Sequence, residues 1–255
     1  MDCQELCSRF DERLDADAYA GIDASENGLQ VGPAEGDLER VAFAVDAAVE
    51  TIDQAAKADA DLLVVHHGLL WGGDGRVTDL RYRRLERLFE AEMALYAVHL
   101  PLDGHQDLGN AAGVADVLDL GNRAPFGEID GEYIGQRGRA REPYAVGELR
   151  EQLSSELDSD GEDVQVLDFG PDEISDIAIV TGSGTDWIDE AAAKDVDALV
   201  TGEGKQQVYH RAREYGIHVF LAGHYATETF GVHALQSLAD DWGLETHYID
   251  HPTGL

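Results

Sequence analysis

Basic residues are scarce in this chain of 255 residues. Lysine occurs only at Lys57, Lys194 and Lys205, and Lys and Arg together number 18 against 52 acidic residues, which gives a formal net charge of −34. Non-specific binding to DNA or RNA depends on basic side chains that neutralise phosphates and release counterions, so we expect no nucleic-acid partner. The same repulsion argues against an anionic membrane surface.

Long apolar runs and cysteines are also scarce. No stretch of the sequence approaches the roughly 18 apolar residues of a membrane span, and the N-terminus lacks the basic and apolar regions of a signal peptide, so we predict a cytoplasmic protein. Cys3 and Cys7 lie four residues apart, which places them on one face of a helix. Because no nearby His or Cys completes a metal site, we interpret them as core residues packed with Phe10.

The acidic residues are spread along the whole chain and are not gathered in one tail. A Debye length of about 3 Å at roughly 1 M ionic strength would screen the self-repulsion of such a charge. The composition resembles that of extreme halophiles, and we therefore predict a salt-rich cytoplasm. A cationic partner is the alternative, although it would need only one acidic face.

Short apolar runs alternate with segments of helical periodicity. The runs VAFAV, DLLVV and ALYAV indicate buried strands in the first half, and ISDIAIV, HVFLAG and LETHYI indicate strands in the second. This alternation predicts an α/β protein of two packed α/β lobes with mainly parallel sheets. A segment rich in Gly, Arg and Pro at 121–138 favours a boundary there, so we expect domains at 1–122 and 123–255 and a ligand site in the cleft between them.

Two adjacent histidines follow the buried run DLLVV. His66 and His67 therefore lie at the carboxyl end of a predicted parallel strand, where ligand sites form in open α/β sheets. A lone histidine there would be interpreted as a core residue. Two neutral imidazoles together favour a metal site.

The next predicted strand, ALYAV, ends in HLPLDGH. This segment supplies His99 and Asp103 at an equivalent position, because parallel strands end at the same edge of a sheet. A carboxylate beside the two imidazoles gives the mixed nitrogen and oxygen ligands that Zn, Mn, Fe or Ni accept.

A third cluster follows the run HVFLAG. His224 and Glu228 lie four residues apart at the beginning of a predicted helix, so both side chains point from one face. The alternative is that Glu228 or Thr227 caps the helix. Five ligands from three strand ends are too many for one structural zinc, so we predict two divalent ions and favour hydrolysis as the reaction class.

Weaker patterns leave alternatives open. The segments TGSGT (181–185) and TGEGK (201–205) could receive a phosphate on backbone amides, or they could be tight turns. Trp71 and Tyr225 flank the ligand motifs and could stack on a planar substrate or pack in the core.

Six segments together resemble one known family. ENGLQVG, VVHHGLLW, YAVHLPLD, VTGSG, ALVTGEGK and GHYATE occur in the order typical of the Nif3-like family, the GTP cyclohydrolase 1 type 2 homologues. The resemblance implies a Nif3-like fold, a ring-shaped homohexamer and a dinuclear centre in each subunit. The implied metal ligands are His66, His67, Asp103, His224 and Glu228, with Glu228 as the bridge and His99 lining the centre.

The resemblance implies a metal-dependent hydrolase of the GTP cyclohydrolase 1 type 2 kind, acting on a nucleotide or a related phosphorylated compound. Glu228 and His99 are then the candidates for moving protons. A non-catalytic metal-binding or regulatory hexameric scaffold is the alternative. The metal could be Zn, Fe, Mn or Ni, and the sequence does not distinguish between them. It also does not identify the residues that would bind a substrate.

Overall fold

The computed structural model describes residues 1–72, 75–157 and 161–255. The chain forms two compact units, the first made of Met1–Leu102 and Gly231–His251, and the second of Asp103–Phe230 and Pro252–Leu255. Each unit has its own β-sheet and helices, which confirms the predicted α/β class.

The first unit contains a five-stranded sheet in the order β1-β4-β3-β2-β11. Its strands are β1 (Gly28–Val31), β2 (Arg40–Asp46), β3 (Leu62–His67), β4 (Ala94–Ala97) and β11 (Glu245–Tyr248). Its helices are α1 (Cys3–Leu14), α2 (Val49–Lys57), α3 (Asp79–Glu90) and most of α10 (Thr229–Asp241). Among these described strands only the β1-β4 pair is antiparallel, so this sheet is mainly parallel, as predicted.

The second unit contains a six-stranded sheet in the order β5-β6-β8-β9-β10-β7. Its strands are β5 (Gly121–Ile129), β6 (Glu132–Tyr144), β7 (Gln165–Leu167), β8 (Ile174–Ile179), β9 (Ala198–Thr201) and β10 (His218–Leu221). Its helices are α4 (Leu100–Gly104, which begins in the first unit), α5 (Asn110–Val117), α6 (Val146–Glu156), α7 (Ile188–Ala193), α8 (Gln206–Tyr215) and α9 (His224–Thr227). The central strands β8, β9 and β10 are parallel, whereas β5, β6 and β7 add antiparallel pairs and make the sheet mixed.

The division into units differs from the expected boundary at 122/123. The segment 121–138 belongs to the β5-β6 hairpin, whose turn at Asp130 and Gly131 has positive φ angles. Its glycines and polar residues therefore reflect a turn and an irregular strand pairing. The C-terminal strand β11 pairs with β2, with Tyr248 opposite Phe43, and so returns the end of the chain to the first unit.

The N-terminal helix α1 follows the prediction closely. Asp2 caps it by accepting a hydrogen bond of 2.7 Å from the backbone N–H of Glu5. Cys3, Cys7 and Phe10 are buried on one face, and both cysteines are free thiols, which confirms their interpretation as core residues. Among the described residues, no helix combines the length and apolar character that crossing a bilayer requires.

The strands that carry the candidate ligands of the first unit are buried on both sides. Leu62 to Val65 of β3 are almost wholly inaccessible, as are the residues of β4. Because β3 and β4 are parallel, with Val65 opposite Ala97, their carboxyl ends lie at the same edge of the sheet. The chain therefore brings His66 and His67 of β3 beside the residues that follow β4.

Candidate metal centre

Three imidazoles meet at this edge of the first unit. One ring nitrogen from each of His66, His67 and His99 lies within 4.8 Å of one from each of the others. The ring centroids are 4.6 Å apart for His66 and His67 and 5.1 Å apart for His66 and His99. His66 is buried, and the other two are partly exposed. Both His66 and His67 belong to β3 itself, so no loop is needed to bring their rings together.

Each of the three rings is oriented through its Nδ1 atom. His66 Nδ1 donates to the backbone carbonyl of Val98 at 3.0 Å, His67 Nδ1 lies 2.9 Å from an Asp46 carboxylate oxygen, and His99 Nδ1 lies 2.8 Å from an Asp23 carboxylate oxygen. A carbonyl or a carboxylate can only accept, so Nδ1 of the neutral ring carries the hydrogen. Nε2 then carries the lone pair with which an imidazole binds a metal ion.

Asp23 organises the segment around His99. Its carboxylate also accepts hydrogen bonds from Ser25 N at 2.8 Å, Asn27 Nδ2 at 2.9 Å and Leu100 N at 2.9 Å. Asn27 Oδ1 in turn accepts from the backbone N–H of His99 at 2.8 Å. Burial opposes ionisation of Asp23, but the hydrogen bonds and the electrostatic interaction that it receives from its neighbours, His99 first among them, outweigh burial and lower its pKa.

Trp71 covers part of the histidine cluster. Its indole ring meets His99 edge-on with centroids 5.0 Å apart, and its Nε1 atom donates to the carbonyl of Gly68 at 2.9 Å. The side chain is still 37% exposed. Tyr225, the other aromatic residue considered from the sequence, is buried in the second unit, which favours packing for that residue.

In the second unit, the parallel strands β8, β9 and β10 end in glycine-containing turns at one edge. Gly202 N donates to Gly182 O at 2.9 Å, and Gly223 N donates to Gly202 O at 3.0 Å. The segments TGSG, TGEG and AGH therefore lie side by side. Each of these three segments follows an apolar strand, and the hydrogen bonds between them place all three at the same edge of the sheet.

His224 and Glu228 lie together at this edge. His224 Nε2 is 3.1 Å from Glu228 Oε2, and Glu228 is buried. The expected single helix is interrupted, because α9 ends at Thr227, Glu228 has φ −112° and α10 begins at Thr229. The four-residue spacing still brings the two side chains together, as predicted.

A second carboxylate, Glu203, lies against the other nitrogen of His224. Glu203 Oε1 is 3.3 Å from His224 Nδ1 and accepts a hydrogen bond from Ser183 Oγ. Burial alone would lower the pKa of His224, but the hydrogen bonds and charges of Glu228 and Glu203 raise it to about 9. The two carboxylates therefore favour the protonated imidazole, and a metal cation would compete with that proton for the ring nitrogen.

Gly182 and Gly202 leave the space that these side chains occupy. A Cβ atom on Gly182 would overlap Glu228 Oε1 and lie 3.0 Å from His224 Nε2, and the φ of +59° also disfavours other residues. A Cβ on Gly202 would lie 2.6 Å from the Cα of His224. The glycines of TGSG and TGEG thus permit the close approach of His224 and Glu228.

Asp103 is buried in the same unit. Its Oδ1 atom accepts hydrogen bonds from Asn110 Nδ2 at 2.9 Å and from Thr181 Oγ1 at 3.0 Å. Thr181 immediately precedes Gly182 in the same turn. The side chain of Thr181 donates to Asp103, and the absence of a side chain at Gly182 leaves room for Glu228. The two donors therefore fix the orientation of the Asp103 carboxylate.

The donor set fits a transition-metal site. Imidazoles with a defined Nε2 lone pair and buried carboxylates are the ligands that Zn, Fe, Mn and Ni accept. The supporting residues Asp23, Asn27, Asp46, Glu203 and Asn110 were not anticipated from the sequence. ENGLQVG was noted only for its resemblance to the family, and no periodicity or spacing connects Asp23 with His99, 76 residues later.

Almost the whole chain matches one family. The model described as Duf34/NIF3 (NGG1p interacting factor 3) covers residues 1–253. The chain belongs to the Duf34/NIF3 family. This confirms the resemblance drawn from HHGLLW and GHYATE.

Individual Duf34/NIF3 relatives agree with this assignment. A protein of Halobacterium salinarum named GTP cyclohydrolase 1 type 2 homolog is 57% identical over 255 residues, with all of both chains covered. Among solved structures, TTHA1606 from Thermus thermophilus is 36% identical with a TM-score of 0.89, and the protein ybgI, described as of unknown function, is 33% identical with a TM-score of 0.91. Both cover all of this chain and of their own, which supports the Nif3-like fold.

Proposed function

We propose that this protein binds two divalent metal ions through His66, His67, Asp103, His224 and Glu228. The observation that carries the proposal is the histidine cluster of the first unit, in which Nδ1 of each ring has an acceptor. The buried carboxylates of Asp103 and Glu228 supply the oxygen ligands. Five ligands suit two ions, and Glu228 can bridge them with its two oxygens.

We further propose that the centre hydrolyses a nucleotide or a related phosphorylated compound. The names of the relatives, which call them GTP cyclohydrolase 1 type 2 homologues, support this class. Bound divalent ions supply a more acidic water and polarise a substrate oxygen. Asp23 fixes the tautomer of His99, so Nε2 of His99 can accept a proton, and the Glu228 carboxylate is the second candidate for proton transfer.

A direct assay tests the enzymatic proposal. Metal-loaded protein is incubated with GTP, and formate and a pterin precursor are measured. We expect turnover in the wild type and none in the variant His66→Ala/His67→Ala. Equal product from both proteins would reject the GTP cyclohydrolase reaction at this site.

A homohexamer is also proposed, and helix α3 offers a surface for self-association. Five of the 15 arginines of this acidic chain lie at 76–87, and three of them, Arg76, Arg83 and Arg87, are exposed. The apolar side chains of Val77, Leu80, Tyr82 and Phe89, in α3 or just before it, are exposed as well. An exposed patch of apolar and basic groups on a protein of charge −34 is complementary to the acidic surface of a second copy. In light scattering, Phe89→Asp/Leu80→Asp should lower the oligomer mass, whereas the matched change Tyr215→Asp/Tyr209→Asp should not.

A non-catalytic metal-binding or regulatory scaffold is the second candidate function, and the same α3 surface favours it. It predicts that chelation changes the oligomeric state without any substrate being consumed.

A cytoplasmic location at high salt is proposed from the composition.

A further inference from the structure

The imidazole of His224 lies between two carboxylates of the second unit. Its Nε2 atom is 3.1 Å from Glu228 Oε2, and its Nδ1 atom is 3.3 Å from Glu203 Oε1. A carboxylate only accepts hydrogen bonds, and a neutral imidazole carries a single N–H hydrogen. The hydrogen of the neutral ring therefore satisfies one carboxylate, and the nitrogen that faces the other carboxylate is left for a cation.

The two carboxylates differ in their surroundings. Glu228 is buried and is one of the proposed metal ligands. The Glu203 side chain is 48% exposed, and its Oε1 atom already accepts a hydrogen bond from Ser183 Oγ. Among the described residues, Glu203 belongs to none of the groups of side chains whose donor atoms converge closely enough to hold one ion. Glu203 is therefore suited to accept from Nδ1 of His224, which leaves Nε2, on the side of Glu228, to the metal.

The backbone of the two glycine turns brings Glu203 to His224. Gly202 N and Glu203 N both donate to Gly182 O at 2.9 Å, and Ser183 directly follows Gly182. Gly202 also permits the approach of His224, because a Cβ atom there would lie 2.6 Å from the Cα of His224. The hydrogen bond between the side chains of Ser183 and Glu203 thus adds to backbone bonds that already join the two turns.

These contacts argue against the other role considered for TGSGT and TGEGK, which is binding a phosphate. A phosphate on a turn needs backbone amides that point at it. Gly182 N and Gly184 N instead donate to threonine hydroxyls at 3.2 and 2.8 Å, and Gly202 N and Glu203 N donate to a carbonyl oxygen. The carboxylate of Glu203 would also repel an anion. The structure therefore favours a role for the two turns in supporting His224.

We propose that Glu203 and Ser183 are positioning residues, which hold His224 in the orientation and tautomer that present Nε2 to a metal ion. This inference rests on the proposed two-metal centre. In the first unit, Asp46 and Asp23 hold Nδ1 of His67 and His99 in the same way. A carboxylate partner of this kind fixes the ring of a ligand histidine and raises its basicity, and its removal weakens metal binding about 10–100-fold.

Zinc binding to the full chain tests the role of Glu203, by competition with a chromogenic chelator at constant high KCl. Glu203→Ala removes the acceptor, whereas Glu203→Gln keeps an oxygen for Nδ1–H and an amide that can donate to Ser183 Oγ. The control Glu214→Ala removes an exposed glutamate from α8 of the same unit. We expect the affinity for zinc to fall about 10–100-fold in Glu203→Ala, at most several-fold in Glu203→Gln, and not at all in the control.

Three results of this titration would overturn the proposal. Equal affinity in the wild type and Glu203→Ala would show that the contact does not support His224. Equal losses in Glu203→Ala and Glu203→Gln would assign the effect to negative charge alone, and loss of one zinc ion from Glu203→Gln would make Glu203 a ligand. A wild type that binds no zinc would reject the two-metal centre together with this role, whereas the first three results leave the centre itself intact.

Ser183→Ala separates orientation from charge, because it leaves the carboxylate of Glu203 in place and removes only its hydrogen-bond donor. We expect zinc affinity to fall several-fold, whereas Ser155→Ala, which removes an exposed hydroxyl from α6, should change nothing. In protein loaded with cobalt(II), the visible absorption bands report the ligands and their geometry. The bands should shift in Glu203→Ala and stay as in the wild type in Glu203→Gln. Unchanged zinc affinity in Ser183→Ala, or identical cobalt spectra in all variants, would contradict the positioning role.

Discussion

Asp23 Oδ1 lies 2.8 Å from His99 Nδ1, although 76 residues separate the two in the chain. The carboxylate side chain is wholly inaccessible to solvent, and the histidine side chain is 21% exposed. A buried, ionised acceptor fixes one tautomer of the imidazole and leaves Nε2 with the lone pair. One ring nitrogen of His99 lies within 4.8 Å of one from each of His66 and His67. The positions of these two residues therefore determine which atom of His99 is available for chemistry.

Replacing Asp23 with asparagine should disturb this arrangement. In the wild type, both carboxylate oxygens of Asp23 accept hydrogen bonds, whereas in Asp23→Asn an NH₂ group replaces one of them and faces another donor. We therefore expect the free energy of unfolding to fall by about 1–3 kcal/mol. Nitrogen-15 NMR should also show that the Nδ1–H tautomer of His99 is no longer dominant. The control Asp15→Asn changes an exposed carboxylate with the same charge, and an identical NMR spectrum of His99 in both variants would refute the positioning role.

Gly182 should tolerate no side chain. The variant Gly182→Ala combines a φ of +59° with overlap against Glu228 Oε1, so we expect it to lose about 1–3 kcal/mol of stability and to bind metal less tightly. Thermal unfolding and a metal titration against a competing chelator measure the two effects.

Gly147→Ala is the matched control for this prediction. Gly147 lies in the first turn of α6, and a Cβ atom there would meet no atom of the described residues within 4 Å. It should be neutral or stabilising, since alanine has the higher helix propensity. If both alanine variants behaved alike, the proposed packing of Gly182 against the candidate ligands would be wrong.

Stability should depend on the ionisation of Asp11. The folded-state pKa of Asp11 is raised, first by burial, so its contribution to stability is present below the unfolded-state pKa and is lost as the pH rises through the folded-state pKa. Asp11→Asn retains an acceptor for Tyr96 and removes this loss. We expect the variant to gain in melting temperature near neutral pH and to gain less at about pH 4, close to the ordinary carboxyl pKa, and a gain that grows on acidification would contradict the assignment.

The net charge of −34 predicts a strong dependence on salt. Lowering the ionic strength from about 1 M to about 0.01 M lengthens the Debye length from roughly 3 Å to roughly 30 Å, so repulsion between dispersed carboxylates reaches across the protein. The melting temperature should fall steadily as KCl is removed. A melting temperature independent of KCl would show that the acidic surface serves another purpose, such as binding a cationic partner.

The sequence predicted those parts of the site that depend on short-range patterns. The apolar runs before His66, His67 and His99 have the composition of parallel strands, and parallel strands end at one edge, so their proximity in the first unit was foreseeable. The four-residue spacing of His224 and Glu228 likewise predicted their contact.

Long-range pairings and irregular backbone escaped prediction. The pairing of β11 with β2 joins two segments that lie far apart in the sequence. An apolar run predicts a strand but does not identify the strand with which it pairs. The glycines at 121–138 suit either a linker or a hairpin turn, and the structure contains the hairpin. The break at Glu228 between α9 and α10 replaces one continuous helix, although no proline marks it.

The metal content of the purified chain tests the central claim most directly. Protein prepared at high salt without chelator is analysed by mass spectrometry of its metals, together with His66→Ala/His67→Ala and His224→Ala/Glu228→Gln. We predict two divalent ions per chain in the wild type and loss of both in either variant, because all five proposed ligands serve the same pair of ions. A wild type without stoichiometric metal, or a variant that keeps an ion at undiminished affinity, would contradict the account.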